Sequence, residues 1–225
     1  MNAWKQDSKR LPRLMVGLVL LAFGIYLTKL SGFGMAPWAV FHVGLAAMTG
    51  IPFGFTTQLV GLFVLVGSMV AFRTKIGLGT ILNVAMVGPI IVVFESFYQA
   101  IPSNVLTQFL VFMLGFLIMT FGRSLYISGR LGQGPRDGLF VGLAKNTSIP
   151  VKYIKLIVEL TVFTIGVVLL LFHRDILWVS VGLGTIIIVL FSGYLVQWYF
   201  QLLHYHPQDK TEYDVLRYFK QQHPS

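Results

Sequence analysis

Shifted by 98 positions, the chain falls into register with its own glycines and prolines. Gly17 lands on Gly115, Phe23-Gly24 on Phe121-Gly122, Gly34 on Gly132 and Pro37 on Pro135. The match continues with Val43-Gly44-Leu45-Ala46 on Val141-Gly142-Leu143-Ala144, Thr49 on Thr147, and Ile51-Pro52 on Ile149-Pro150. After a short insertion, "IGLGTI" (Ile76 to Ile81) meets "VGLGTI" (Val181 to Ile186). Apolar sequences converge on a Leu or two by composition alone. They do not converge on Gly/Pro punctuation in register, so the chain is a duplication.

Between these marks run apolar stretches of about 17 to 22 residues, the helix length that crosses roughly 30 Å of hydrocarbon. With 56% hydrophobic and 11% charged residues, the chain is far from the balance of a soluble domain. The alternating pattern of a transmembrane β-barrel is absent. Each half reads as a long helix, a short segment and two more long helices: 13–30, 37–49, 53–72 and 76–98, then 108–127, 135–147, 152–172 and 177–200. Proline at the first helical position and Gly or Asn/Ser near the end bound both short segments. About 13 helical residues rise only about 20 Å, too little to cross a bilayer. The organisation expected is a cytoplasmic N-terminus (1–12), a first membrane repeat (13–100), a second (108–200) and a cytoplasmic tail (201–225). The N-terminal stretch resembles a signal peptide, but its apolar run is long, lacks a small-residue cleavage site and belongs to the repeat. It reads as a mature first transmembrane helix.

Two topologies fit: eight crossings with parallel halves, or six crossings with inverted halves and two re-entrant short segments. Lysine and arginine arbitrate, because cytoplasmic loops concentrate them. With six crossings and both termini inside, only Lys29 and Arg174 of the 17 Lys and Arg residues lie outside. With eight, Arg73, Lys75, Arg123, Arg130 and Arg136 move outside as well. The fold class expected is therefore an all-α membrane protein with six transmembrane helices plus two short re-entrant half-helices, built from two inverted repeats. The net charge of +9 belongs to the cytoplasmic loops on this reading, not to nucleic-acid binding.

The Gly-rich strands "SGFGMA" and "SGRLGQG" then enter the membrane from opposite faces and return as half-helices. Irregular backbone at that depth must be covered by protein or line a cavity. Inverted repeats with paired broken segments are a recurrent transporter design, with the ligand between the halves. Half-helix N-termini present unpaired N–H groups that favour an anionic or polar ligand. The alternative is that the Gly and Pro residues only permit close helix packing.

These residues resemble the YczE/YyaS/YitT-type family of bacterial integral membrane proteins. The marks are "GMAPWAVFHVGLA…TGIPFG", "GLGTILN" and "GPRDGLFVGLA", in that order, and the similarity spans about residues 12 to 200. The resemblance implies a multi-pass protein of about six spans in the bacterial plasma membrane. In the family pattern an acidic residue follows the Pro-Trp pair. Here Ala39 stands there, and Asp137 is the carboxylate left at the paired positions.

Ionisable groups at membrane depth are costly and mark functional sites by default. The substrate-binding set expected is Gly34, Pro37, Trp38, His42 and Asn83 from the first half, with Gly132, Gln133, Gly134, Pro135, Arg136 and Asp137 from the second. Asp137 and Glu159 are the proton-coupling candidates. Each has a bland reading: Asp137 as an ordinary helix cap, and Glu159 as the i, i+4 partner of Lys155. Trp38 replaces Arg136 in the other half and either stacks over a ligand or joins an aromatic belt. His42 is a relay or a hydrogen-bonded core histidine. Glu95, near a helix end, is expected to be solvated.

The chain has no cysteine, which excludes disulfides and thiolate chemistry. No G-x-x-x-x-G-K-[ST], H-E-x-x-H or G-x-S-x-G occurs, so neither an enzyme nor an ATP-driven pump is expected, and no cofactor or metal. "HYH" (His204 to His206) lacks a third ligand at fixed spacing, and "TEYDVLRYFKQQ" reads as a short amphipathic helix on the membrane surface. The function expected is a small secondary transporter or exporter of a polar or anionic metabolite, the alternative being a non-transporting membrane scaffold. Its partners are the lipid bilayer and that small molecule, with a homo-oligomer left open.

Overall fold

The computed structural model describes residues 3–72, 77–98, 100–132, 134–136, 139, 143, 146, 147, 149 and 151–205, with the backbone alone at 3–8, 151 and 152. Within them lie α1 (Ala3–Leu30), α2 (Pro37–Thr49), α3 (Phe53–Phe72), α4 (Leu78–Phe97), α5 (Val105–Ser128), α6 (Val151–Leu170), α7 (Arg174–Ser180) and α8 (Leu183–Leu202). No strand occurs among the described residues. Among the described residues, six stretches are long and apolar enough to cross a membrane: Lys9–Leu30, Phe53–Phe72, Leu78–Phe97, Val105–Ser128, Tyr153–Leu170 and Arg174–Leu202. Large apolar side chains such as Phe63, Val70, Phe172 and Leu183 face outward. In water so much apolar surface would drive aggregation, whereas in lipid it is solvated. The chain is an all-helical, multi-pass membrane protein.

Of the second short segment, Pro135, Arg136, Leu139, Leu143, Asn146 and Thr147 are helical, where the duplication places a copy of α2. The copies also share a detail near their ends. Thr49 Oγ1 donates to Leu45 O at 2.7 Å, and Thr147 Oγ1 to Leu143 O at 2.8 Å.

The centre is the crossing of α1 with α5, each the other's repeat copy. A Cβ built on Gly17 would lie 2.5 Å from Tyr126 N, and one on Gly24 2.3 Å from Met119 N. The counterparts Gly115 and Gly122 would strike Leu27 Cβ at 2.7 Å and Leu21 N at 2.4 Å. Climbing α1 from 17 to 24 means descending α5 from 126 to 119, so the two helices run antiparallel. Small residues are needed because the backbones themselves touch, the usual basis of helix association in lipid. Around this pair, α4 packs on α1, α8 on α5, α3 on α4, and α2 on α6. Leu14, Leu18, Val40, Ile91, Tyr126 and Leu170 fill one shared core.

Two loops tie the halves together reciprocally. The 31–36 segment docks on the start of α8: Gly184 N donates to Phe33 O at 2.9 Å and Met35 N to Ser180 O at 2.9 Å. The matching segment of the second half docks on the start of α4, where Gly79 N donates to Leu131 O at 2.7 Å. Gly34 (φ 124°) and Gly132 (φ 126°) turn these segments in a region that side chains with a Cβ rarely adopt. Their hydrogens face the repeated "GLGT" motifs. A Cβ at Gly34 would lie 2.7 Å from Thr185 N, and one at Gly132 2.7 Å from Gly77 Cα.

Three expectations need correction. Helix α1 begins at Ala3 and runs through Pro12 rather than starting at 13, because the polar lead-in "KQDSKR" continues the same helical turns. The helix expected at 177–200 is two helices, α7 and α8, broken at Val181-Gly182. That break is where the 31–36 segment finds its partners Ser180 O and Gly184 N. Glu95 is not solvated: it is 9% exposed and bridges Lys29, which the long separation in sequence concealed.

Candidate functional site

A cavity lies among the middles of α1, α3, α4 and α5, reaching α2, α6 and α8. It offers about 140 Å³ to the centres of water-sized spheres, several times the roughly 10–15 Å³ that one water needs. Its polar end is built by the starts of the two short segments. Pro37 opens α2 at a position where its missing N–H costs nothing, and no side chain caps that helix end. Trp38 follows, 5% exposed, with its Nε1 buried and without a hydrogen-bond partner among the described residues. Pro135 and Arg136 occupy the same two positions in the other half.

The repeat-equivalent side chains Trp38 and Arg136 meet: the guanidinium carbon stands 4.5 Å from the indole centroid. In a desolvated setting such a contact contributes about 2 kcal/mol. Trp38 is thus no member of a lipid-facing belt. His42, one turn further along α2, is 1% exposed. Thr57 Oγ1 lies 3.0 Å from its Nδ1, and Arg136 Nη2 stands at a long 3.5 Å from its Nε2. The imidazole therefore links α3 to the second short segment.

The structure brings Pro37, Trp38, His42, Asn83, Gly134, Pro135, Arg136 and Glu159 to this one cavity. Glu159 also faces Lys155, Nζ to Oε1 3.9 Å, at the i, i+4 spacing. Gly34 and Gly132 do not line the cavity; they serve the two loop dockings. Gln133 and Asp137 lie outside the described residues, as do His206 and the tail that follows. Among the described residues, no group of three or more His, Cys, Asp or Glu side chains could hold a metal.

Sequence reasoning missed three features. Arg123 and Thr57 line the same cavity. Arg123 carried a usable signal, being a charge within the apolar run 105–128, where charge is expensive. The third is a second cavity of about 330 Å³, bounded by Lys29, Glu95, Tyr98, Ile176 and Ser180. Its lip is built from distant residues: Lys29 bridges Glu95, and Tyr26 OH donates to Tyr98 O at 2.7 Å. Phe53 lines both cavities, and Lys29 Nζ stands 4.8 Å over its ring.

A "family of unknown function (DUF6198)" matches residues 8–201. An uncharacterized protein of Haemophilus influenzae is 28% identical over 202 residues, covering 90% of this chain and 88% of that one. The uncharacterized membrane protein YczE of Bacillus subtilis is 29% identical over 182 residues, 80% of each chain. The uncharacterized protein YyaS of the same organism is 24% identical over 199 residues, 85% of this chain and 92% of that one. The resemblance read from "GMAPWAVFHVGLA" and "GPRDGLFVGLA" thus extends over most of each relative. No solved structure matches. With six membrane-crossing stretches and a match over nearly its whole length, the chain belongs to the DUF6198 family.

Proposed function

We propose that this protein is a small secondary transporter or exporter of a polar or anionic metabolite, working by alternating access between two inverted repeats, 13–100 and 108–200. One observation carries the reading: Trp38 and Arg136, the same position of the two repeats, meet over one shared cavity. A site at the seam of two related halves is exposed to one side or the other when the halves rock, as in other inverted-repeat transporters. The antiparallel α1–α5 crossing and the reciprocal loop docking support inverted halves, since a two-fold axis in the membrane plane requires both.

In this reading α2 and its copy are re-entrant half-helices, both termini are cytoplasmic, and the membrane is the bacterial plasma membrane. The Lys29–Glu95 bridge over Phe53 closes the outer side. Asp137 and Glu159 carry the coupling protons, and no covalent step is assigned. The test is uptake and counterflow in proteoliposomes holding the purified protein, screened against a metabolite library under a pH gradient. Saturable flux that falls at least tenfold in Arg136→Gln is expected. No saturable flux for any compound would leave the non-transporting scaffold. Topology is tested separately in this cysteine-free chain: Ser103→Cys should react with an impermeant thiol reagent from outside only. Labelling from the cytoplasmic side alone would overturn the inverted model.

A further inference from the structure

We propose that the central cavity binds a small organic monoanion, a carboxylate carried on an apolar body. Its carboxylate accepts from Trp38 Nε1–H and Arg136. The inference rests on the reading of this cavity as the transported ligand's site, and it names the ligand's chemistry.

The indole nitrogen is the starting point. It can donate and cannot accept, it is buried, and no acceptor among the described residues reaches it. A buried donor left unmade is disfavoured, so a bound acceptor gains more here than it would at a surface. The same indole face holds Arg136, whose planar fork of donors meets a carboxylate through two parallel bonds. Arg123 lines the same space, so among the described residues the wall carries two guanidiniums. The single carboxylate among those wall residues, Glu159, faces Lys155 at 3.9 Å.

The rest of the wall sets the other half of the ligand. Leu21, Ile25, Val84, Val87, Met119 and Ile188 present hydrocarbon. Inorganic phosphate or sulfate would leave that surface facing water, whereas an organic acid covers it and gains the burial of its own carbon atoms.

The experiment is a thermal-shift and calorimetric titration of the full-length protein in detergent at neutral pH. Benzoate and hexanoate are compared with benzamide, hexanamide and inorganic phosphate. The acids should give saturable stabilisation, and the amides should bind at least tenfold more weakly. Trp38→Phe keeps the ring and removes the donor, and should weaken acid binding about tenfold while the amides are unchanged. Trp178→Phe, at a site 75% exposed, should change nothing. Arg136→Lys should fall between the wild type and Arg136→Gln, and it serves if Trp38→Phe fails to fold.

Equal binding of acids and amides, binding of phosphate alone, or no binding of either acid overturns the proposal and leaves the cavity to water. The two readings also fail separately. Acid binding without flux sinks transport and keeps the ligand class, while saturable flux of a neutral compound without acid binding does the reverse.

Discussion

Helices α3 and α4 and their repeat copies α6 and α8 start from related sequence and pack differently. In the first pair, Gly54 and Gly88 face each other so closely that a Cβ on either would lie 2.4 Å from the other's carbonyl oxygen. Gln58 Nε2 adds a bond to Ala85 O at 3.3 Å. In the second pair, Lys152 stands at the place of Gly54, and Gly193, the copy of Gly88, would have nothing within 4 Å of a Cβ. Helix α6 leaves α8 and lies on α2, where a Cβ at Gly166 would come 2.6 Å from Phe41 Cα. The cavity lining reaches Glu159 on α6 and Ser192 on α8, the two helices that have separated. Two small residues facing each other let backbones seal. One of them alone leaves a gap, which in a transporter is the natural place for access.

The largest effect should come from closing space where none exists. Gly54→Val or Gly88→Val is expected to lose about 3 kcal/mol through overpacking, read as a fall in Tm and in monodisperse yield. Gly193→Val should stay within about 0.5 kcal/mol of the wild type. Equal losses at Gly88 and Gly193 would end the comparison. Where the halves are alike, the costs should be alike. Gly34→Ala and Gly132→Ala each combine a positive φ with a backbone collision, and each should lose about 2 kcal/mol. A neutral result at either one would show that its loop is not held as its twin is.

Smaller effects separate access from stability. Gly193→Trp should leave Tm within a few degrees while slowing flux severalfold, because the indole enters the unsealed side; unchanged flux would place the route elsewhere. A double-mutant cycle of Lys29→Met with Glu95→Gln should give about 1–2 kcal/mol of coupling, since the pair is only partly shielded from solvent. No coupling would remove the bridge as a closure. Lys155 and Glu159, longer and more exposed, should couple by only about 0.3–0.5 kcal/mol. Glu159→Gln should therefore barely move Tm. If it also leaves proton-coupled flux untouched, Glu159 is a surface ion-pair residue and no more.

Much of this was legible in the residues themselves. Gly and Pro recur in register along the two halves of the sequence, and Pro37 marked the start of α2 correctly because a missing N–H is harmless only in a first helical turn. The apolar runs fell on the six membrane-crossing stretches, since length and composition alone set what can cross hydrocarbon. The site was legible as a neighbourhood only. Gly34 and Gly132 were singled out with Trp38 and Arg136, yet they pack the loops rather than line the cavity.

The amino-acid sequence by itself determined the apolar runs long enough to cross a membrane and the proline start of α2. These are properties of local backbone geometry and of transfer into lipid, which each segment carries alone. Only the tertiary structure decided that Trp38 lies under Arg136, that Lys29 meets Glu95 and neutralises a carboxylate expected in water, and that one glycine pair seals while its copy stays open. Each of these depends on residues far apart in sequence reaching the same few ångströms. No pattern within a single helix encodes that distance.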